Sequence, residues 1–271
     1  MTGPADPLLT LAGLEGVGSA VTAARDAVDA VLRDRGRRAV TPEQTREALV
    51  VAARATAALE SAADSDPDHD QQSAGPGRSA DDHGPAGRPS ARWEGPAIRM
   101  YTELIELAGL IRVAPGQAIA RAHTLLARGL VADDDLGRVL PGEGGRRLAG
   151  LQRLLAGRSE APVIVIAGIA HAELITIAPF VAGNGIVARA VEHMILIAGD
   201  IDAPAVTVPE AGHRALAVGY RRSLDGYRSG STTGVRDWLL YVAQAVTKGA
   251  ELSPLKPARL SRPAGPSGPT G

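Results

Sequence analysis

Apolar residues recur along this chain with the period of an α-helix rather than the alternation of a strand. Between Leu14 and Arg35, the residues Val17, Val21, Val28 and Leu32 mark one face, and Gly36 supplies a stop. Thr41-Pro42-Glu43-Gln44 opens the next segment. It reads as an N-cap threonine, a proline at the first helical position and a glutamine reaching back to complete a capping box, so a helix should run to about Glu60. Helical patterns follow at about 96–112, 115–128, 145–156, 162–177, 185–199, 208–228 and 235–250, and few runs alternate with period two. The pattern predicts an all-α fold of about eight helices.

One stretch interrupts it. Residues 61–92 contain no Val, Ile, Leu, Met or aromatic side chain, so they cannot offset their ordering entropy by burial and are expected to be disordered. Asp64, Asp66, Asp68 and His69 are potential metal donors in that segment. An acidic low-complexity loop with no scaffold is more simply a solvated one. The predicted organisation is N-terminal helices over 1–60, a low-complexity insertion over 61–92, a helical core over 93–252 and a flexible Pro/Gly-rich tail over 253–271.

Composition narrows the function. The 271 residues are 45% hydrophobic but only 3% aromatic, and 29 basic side chains against 30 acidic give a net charge of −1. No bulk charge draws nucleic acid or an anionic membrane. Cysteine is absent, which excludes disulfides, thiolate metal sites and cysteine nucleophiles. The opening MTGPADPLLT lacks a basic region followed by a long apolar one, and the apolar run from Pro162 to Ala170 is followed by His171 and Glu173, short of the ~20 residues a membrane span needs. The expectation is a cytoplasmic protein without nucleic-acid or membrane partners.

The most informative segment is His171 to Ala190, HAELITIAPFVAGNGIVARA. An apolar helix should stop at Pro179, a loop should run from Phe180 to Gly183, and a second helix should start near Asn184 or Gly185. Glycines at a helix entry leave the first N–H groups uncovered, and with the positive end of the helix dipole they make an anion site. Arg189 lies one turn beyond Gly185 on the same face, placed for a phosphate or carboxylate. Phe180 is the only phenylalanine of the chain. Taken alone, Gly-Asn-Gly before a helix is more often a plain turn.

The segment resembles the Fic (Fido) signature, His-Pro-Phe-x-Asp/Glu-Gly-Asn-Gly-Arg-x-x-Arg. Pro179, Phe180, Gly183, Asn184, Gly185 and Arg189 match in unbroken register. His171 with its apolar lead-in LITI, the helix carrying His123-Thr-Leu-Leu and the closing helix with Trp238 also look like Fic proteins, extending the resemblance over about residues 9–250 without the insertion. The chain is most similar to an actinobacterial Fic-like type with an eroded motif. The resemblance implies a fold that moves AMP from ATP onto a protein hydroxyl, with Phe180, Gly183, Asn184, Gly185 and Arg189 as nucleotide-binding residues, a protein as target or partner, and a homodimer as a common form. The departures are Ala178 at the general-base position, Ala182 at the Mg²⁺-binding carboxylate and Ile186 at the first arginine. A methyl group neither accepts a proton nor ligates magnesium, so no catalytic residue is assigned, ATP is the expected ligand and Mg²⁺ is not supported. Upstream, Thr56-Ala-Ala-Leu-Glu60-Ser61 resembles the inhibitory Ser/Thr-x-x-x-Glu-Gly/Asn helix of Fic proteins, with Ser61 replacing Gly or Asn. Thr56 and Glu60 are thereby candidate inhibitory residues, and a Glu60–Arg189 salt bridge is predicted.

Other polar residues read as structural. His171 on an apolar helix and His123 among leucines are expected in the core. His193 lies too deep in its helix to face the loop. Asp200 and Asp202 read as exposed acids in a turn, Glu210 as a dipole partner in a first helical turn with His213 close behind, and the Arg37-Arg38, Arg146-Arg147 and Arg221-Arg222 pairs as solvated faces. No cluster has metal-ligand spacing along the sequence. Three functions stay open: a pseudoenzyme acting through binding, a nucleotidyl- or phosphate-group transferase with a non-standard site, and a purely structural or interaction protein. The polar-to-apolar direction of all three departures disfavours the transferase. The intact Gly-Asn-Gly and Arg189 favour binding over a merely structural role.

Overall fold

The computed structural model describes residues 6–33, 39–65 and 91–255. Helices α1 (Pro7–Ala12) and α2 (Val17–Arg33) lead into α3 (Pro42–Asp64), followed by α4 (Ala91–Tyr101), α5 (Leu104–Ile111), α6 (Pro115–Ala127) and α7 (Glu143–Ala156). Then come α8 (Val163–Ile177), α9 (Asn184–Ala198), α10 (Pro209–Ala215), α11 (Ala217–Arg228) and α12 (Thr232–Glu251). The described residues hold no β-sheet, only an isolated bridge between Arg128 and Val131. None of their helices is long and apolar enough to cross a membrane. The fold is all-α, as the periodicity predicts, with twelve helices among the described residues instead of about eight.

The extra helices come from breaks that the apolar period runs straight through. The 96–112 pattern is cut at Thr102 and Glu103, and the 208–228 pattern at Leu216, whose backbone leaves the helical region. The short α1 is capped by Asp6, whose carboxylate accepts from the Leu8 and Leu9 N–H groups. The capping box at Thr41 and Gln44 forms as expected. Helix α3 continues to Asp64, four residues beyond Glu60, and α4 begins at Ala91, so both ends of the 61–92 insertion are helical. The remainder, 66–90 with Asp66, Asp68 and His69, lies outside the described residues, as do Arg37 and Arg38 and the tail from 256 onward. Asp64 accepts from the Trp93 indole N–H at 2.8 Å and so ties the end of α3 to the start of α4.

Helix α9 is the axis of the core. From Ile186 to Ile197 every residue on it is buried, and α3, α5, α6 and α8 pack around it. Helix α12 closes the opposite side against α2, α10 and α11. Its Trp238, fully buried, donates from its indole N–H to the Gly168 carbonyl at 2.8 Å. Helices α10 and α12 approach so closely that backbone meets backbone: a Cβ on Gly212 would lie 1.9 Å from the Ala245 carbonyl oxygen. Neither main chain can yield without disturbing its neighbours. Gly212→Ala is therefore expected to cost at least ~2 kcal/mol, in the range of overpacked core sites, measured as a lowered urea midpoint with unchanged slope.

Candidate functional site

The loop between α8 and α9 is shaped by backbone geometry and one side chain. Helix α8 ends at Ala178, which takes the left-handed conformation at φ 45°, a region that costs a non-glycine residue about 1–2 kcal/mol. Pro179 prevents continuation, and its carbonyl accepts from the Leu140 N–H at 2.8 Å, pinning the loop to the segment before α7. Asn184 then holds both sides of the Phe180 peptide: Oδ1 accepts from the Phe180 N–H at 2.9 Å and Nδ2 donates to the Phe180 carbonyl at 2.8 Å. Phe180 is 2% exposed and stacks on the His123 ring at 4.0 Å between centroids. Gly183 closes the loop in the left-handed region at φ 70°.

Beyond the loop, Arg189 is 3% exposed and every arm of its guanidinium is used. Nε donates to the Thr56 hydroxyl at 2.7 Å, Nη2 to the Glu60 carboxylate at 2.7 Å and to the Thr56 carbonyl at 3.3 Å, and Nη1 to the Tyr220 hydroxyl at 3.2 Å. Burial opposes its charge, yet the Tyr220 oxygen and Glu60 raise its pKa above the ordinary arginine value. The salt bridge expected between Glu60 and Arg189 is thus present. The Glu60 carboxylate lies against Gly185 at the entry to α9, where a Cβ on that residue would be 2.3 Å from Glu60 Oε2. The sequence-derived residues Thr56, Glu60, Phe180, Gly183, Asn184, Gly185 and Arg189 therefore gather at one end of α9.

With this geometry in view, the comparison with solved structures is decisive for the fold. Over 86% of this chain and 74% of its own length, a Fic family protein from Desulfovibrio desulfuricans G20 superposes with a TM-score of 0.58 at 21% identity. Fic-1 from C. elegans matches over 87% of this chain and 71% of its own, with a TM-score of 0.60 at 18% identity. The chain has the Fic fold. No protein-family model matches the sequence, and no curated protein does either.

Within that fold the three departures sit in different surroundings. Ala178 is exposed at the mouth of the loop, Ala182 is half-buried against the core, and Ile186 is fully buried on α9. An alanine at 178 and another at 182 leave the Phe180–Gly183 loop with no carboxylate and no proton acceptor among its side chains.

Behind Arg189 runs a buried polar chain that the sequence reading largely missed. Tyr220 accepts from Arg189 and meets His171 Nε2 at 2.9 Å, and His171 Nδ1 in turn contacts the Glu192 carboxylate. His213 Nε2 lies 3.0 and 3.2 Å from the two Glu192 oxygens, and its Nδ1 meets the Tyr241 hydroxyl at 3.0 Å. Burial pushes the His171 pKa down to about 4 and lifts Tyr220 to about 12. Burial also works against the Glu192 charge, but His213 and His171 hold that carboxylate well below the usual range. His171 is a core residue as read, His213 is buried beside it, and both are bonded into this chain. Glu192 gave one signal only, the single carboxylate of a largely apolar helix.

Two expectations need correction. Asp202 is not an exposed turn acid; it is fully buried, and its carboxylate accepts from the Val206 and Thr207 N–H groups and the Thr207 hydroxyl. Asp200 is exposed, in the left-handed region at φ 58°. Glu210 lies in the first turn of α10 as read, but it is not simply a dipole partner. It is fully buried, taking a hydrogen bond from the Tyr101 hydroxyl at 2.8 Å and contacting His193 Nδ1 at 2.9 Å. Glu210 was hidden because its partners come from other helices, and Asp202 because the loop that follows it folds back onto its carboxylate, which no helical period marks.

His123 under the loop makes the fold acid-sensitive. Burial lowers its pKa to about 4, only partly countered by the Ala182 carbonyl and Asp135. A histidine held neutral by the fold is protonated first in the unfolded chain, so stability is intact above pH ~6.5 and falls as pH drops toward 4. The loss is expected to reach up to ~3 kcal/mol. Urea midpoints measured between pH 7 and 4.5 should fall more steeply for the native chain than for His123→Gln.

Proposed function

We propose that this chain is a Fic-fold protein without AMP-transfer chemistry that acts by binding, its anion site at the start of α9 latched by its own Glu60. The observation that carries the reading is the seat of that carboxylate. It lies against Gly185 at the positive end of a helix and pairs with a buried guanidinium, a setting that suits a phosphate equally well. The resemblance to Fic proteins makes ATP the ligand to try. An incoming phosphate would have to displace Glu60, which is 12% exposed and so lies at the open end of the site.

The transfer chemistry has lost its means. General-base assistance contributes ~10²–10⁴-fold and metal charge neutralisation several kcal/mol more. Ala178 and Ala182 supply neither, and Ile186 in the core cannot replace a phosphate-facing arginine. Binding with regulation by Glu60 is what the remaining residues support.

Calorimetric titration of ATP and ADP, with and without Mg²⁺, tests this. The native protein is expected to bind weakly and Glu60→Gly at least ~10-fold more tightly, with Mg²⁺ making little difference. No saturable heat from either protein at millimolar nucleotide, where a Kd of 1 mM corresponds to about 4 kcal/mol, would leave the interaction-protein reading in its place. A second experiment concerns transfer itself: Ala178→His, incubated with labelled ATP and cell lysate, is expected to label nothing, because position 182 still lacks a carboxylate. Transferred label would show that the missing base alone silences the site.

A further inference from the structure

Three helices converge on one carboxylate in the core. Glu192 of α9 meets His171 of α8 through Nδ1 and His213 of α10 through Nε2, and all three side chains are at most 1% exposed. We propose that His171, Glu192 and His213 form a buried binding site for one divalent transition-metal ion of the zinc type, clamping α8, α9 and α10 together.

Geometry comes first. One ligand atom from each residue lies within 4.8 Å of the other two. Bonds of about 2.0–2.2 Å to a tetrahedral ion place neighbouring donors roughly 3.3–3.5 Å apart, so the set is sized for a single ion once the close His171–Glu192 contact opens. Both Glu192 oxygens face His213 Nε2, at 3.0 and 3.2 Å. One Glu192 oxygen and the two imidazole nitrogens supply three of the four donors of a tetrahedral ion; the second carboxylate oxygen, about 2.2 Å from the first, is too close to take the fourth corner, which a water would complete.

The surroundings match as well. Metal-bound imidazoles nearly always engage an oxygen through the nitrogen facing away from the ion. Here His171 Nε2 meets the Tyr220 hydroxyl and His213 Nδ1 meets the Tyr241 hydroxyl, so both rings are already aimed. Charge points the same way. Glu192 is buried among imidazoles, and Arg189, the fixed cation on this chain of contacts, is committed to Glu60. Two nitrogens and a carboxylate suit zinc and its neighbours, whereas magnesium and calcium favour all-oxygen sets. Tyr241 also lines a surface groove of about 360 Å³ with Arg214, Val218 and Gln244, so the site lies one side chain below solvent.

The competing arrangement holds no ion: each imidazole donates to Glu192 and accepts from its tyrosine. It differs in which ring nitrogens carry the protons, so measurement separates the two. The full chain, purified without a histidine tag from zinc-supplemented medium, is expected to carry about one zinc per chain by plasma mass spectrometry. Chelator should remove the zinc and lower Tm, zinc but not Mg²⁺ should restore Tm, and Glu192→Gln should weaken zinc binding by at least ~10–100-fold. If that variant does not fold, cobalt(II) in the native chain replaces it, with the visible absorption of a tetrahedral nitrogen–oxygen site expected. A folded native protein with below about 0.1 metal per chain and a Tm unmoved by chelator or zinc would overturn the proposal. So would zinc that Glu192→Gln retains in full, or cobalt(II) that shows no tetrahedral absorption.

Discussion

Arg189 stays charged whatever surrounds it, and it is 3% exposed, so the fold has to bring it an anion and enough acceptors to replace its water. An unpaired buried charge costs several kcal/mol. That requirement fixes relations between elements far apart in sequence. Thr56 and Glu60 must come from α3 on one side and Tyr220 from α11 on the other, all within hydrogen-bonding distance of one guanidinium. The capping box that starts α3 at Thr41 sets the phase of that helix, and four turns later the phase delivers Thr56 and Glu60 to the same face.

The same helix that carries Arg189 carries the next demand. Within five residues α9 presents Arg189, Glu192 and His193 to different neighbours, and each is bonded by a different helix or pair of helices. A helix buried on nearly every face has no solvated side on which to place polar residues, so each must find a partner in the core. Tyr220 joins two of these sets by accepting from Arg189 while meeting His171. The break at Leu216 makes room for this: α10 presses its backbone onto α12 through Gly212, while α11 takes its own direction and carries Tyr220 to Arg189. Rigidity in such a network comes from completeness, since any member removed leaves another buried and unpaired.

What the sequence made legible follows from this distinction between local and distant causes. The capping box, the stop at Pro179 and the start of α9 at Asn184 depend on residues within a few positions of one another, and all three lie where the pattern puts them. The Glu60–Arg189 pair was legible only because the motif fixes a register that a lone Thr-x-x-x-Glu does not. The helix breaks at Thr102 and Leu216 were hidden, because the apolar period carries through both. Glu192 escaped for a different reason. It lies 21 residues from each of its two histidines along the chain, and no spacing rule links residues whose meeting is decided by the packing of α8, α9 and α10.

The loop also separates shape from chemistry. Its path is held by Asn184 bridging both sides of the Phe180 peptide, by Pro179 bonded to Leu140, by Phe180 on His123 and by Gly183 in the left-handed region. The side chains of Ala178, Ala182 and Ile186 take part in none of these contacts. Those three positions can therefore be apolar while the N-terminal end of α9 keeps its form. Ala178 even holds a left-handed conformation that alanine adopts at a cost, which shows the surrounding contacts imposing the loop on the residue. A loop built this way keeps its path with alanine at 178 and 182, and Glu60 fills the space over Gly185 with the same carboxylate that keeps the buried Arg189 paired.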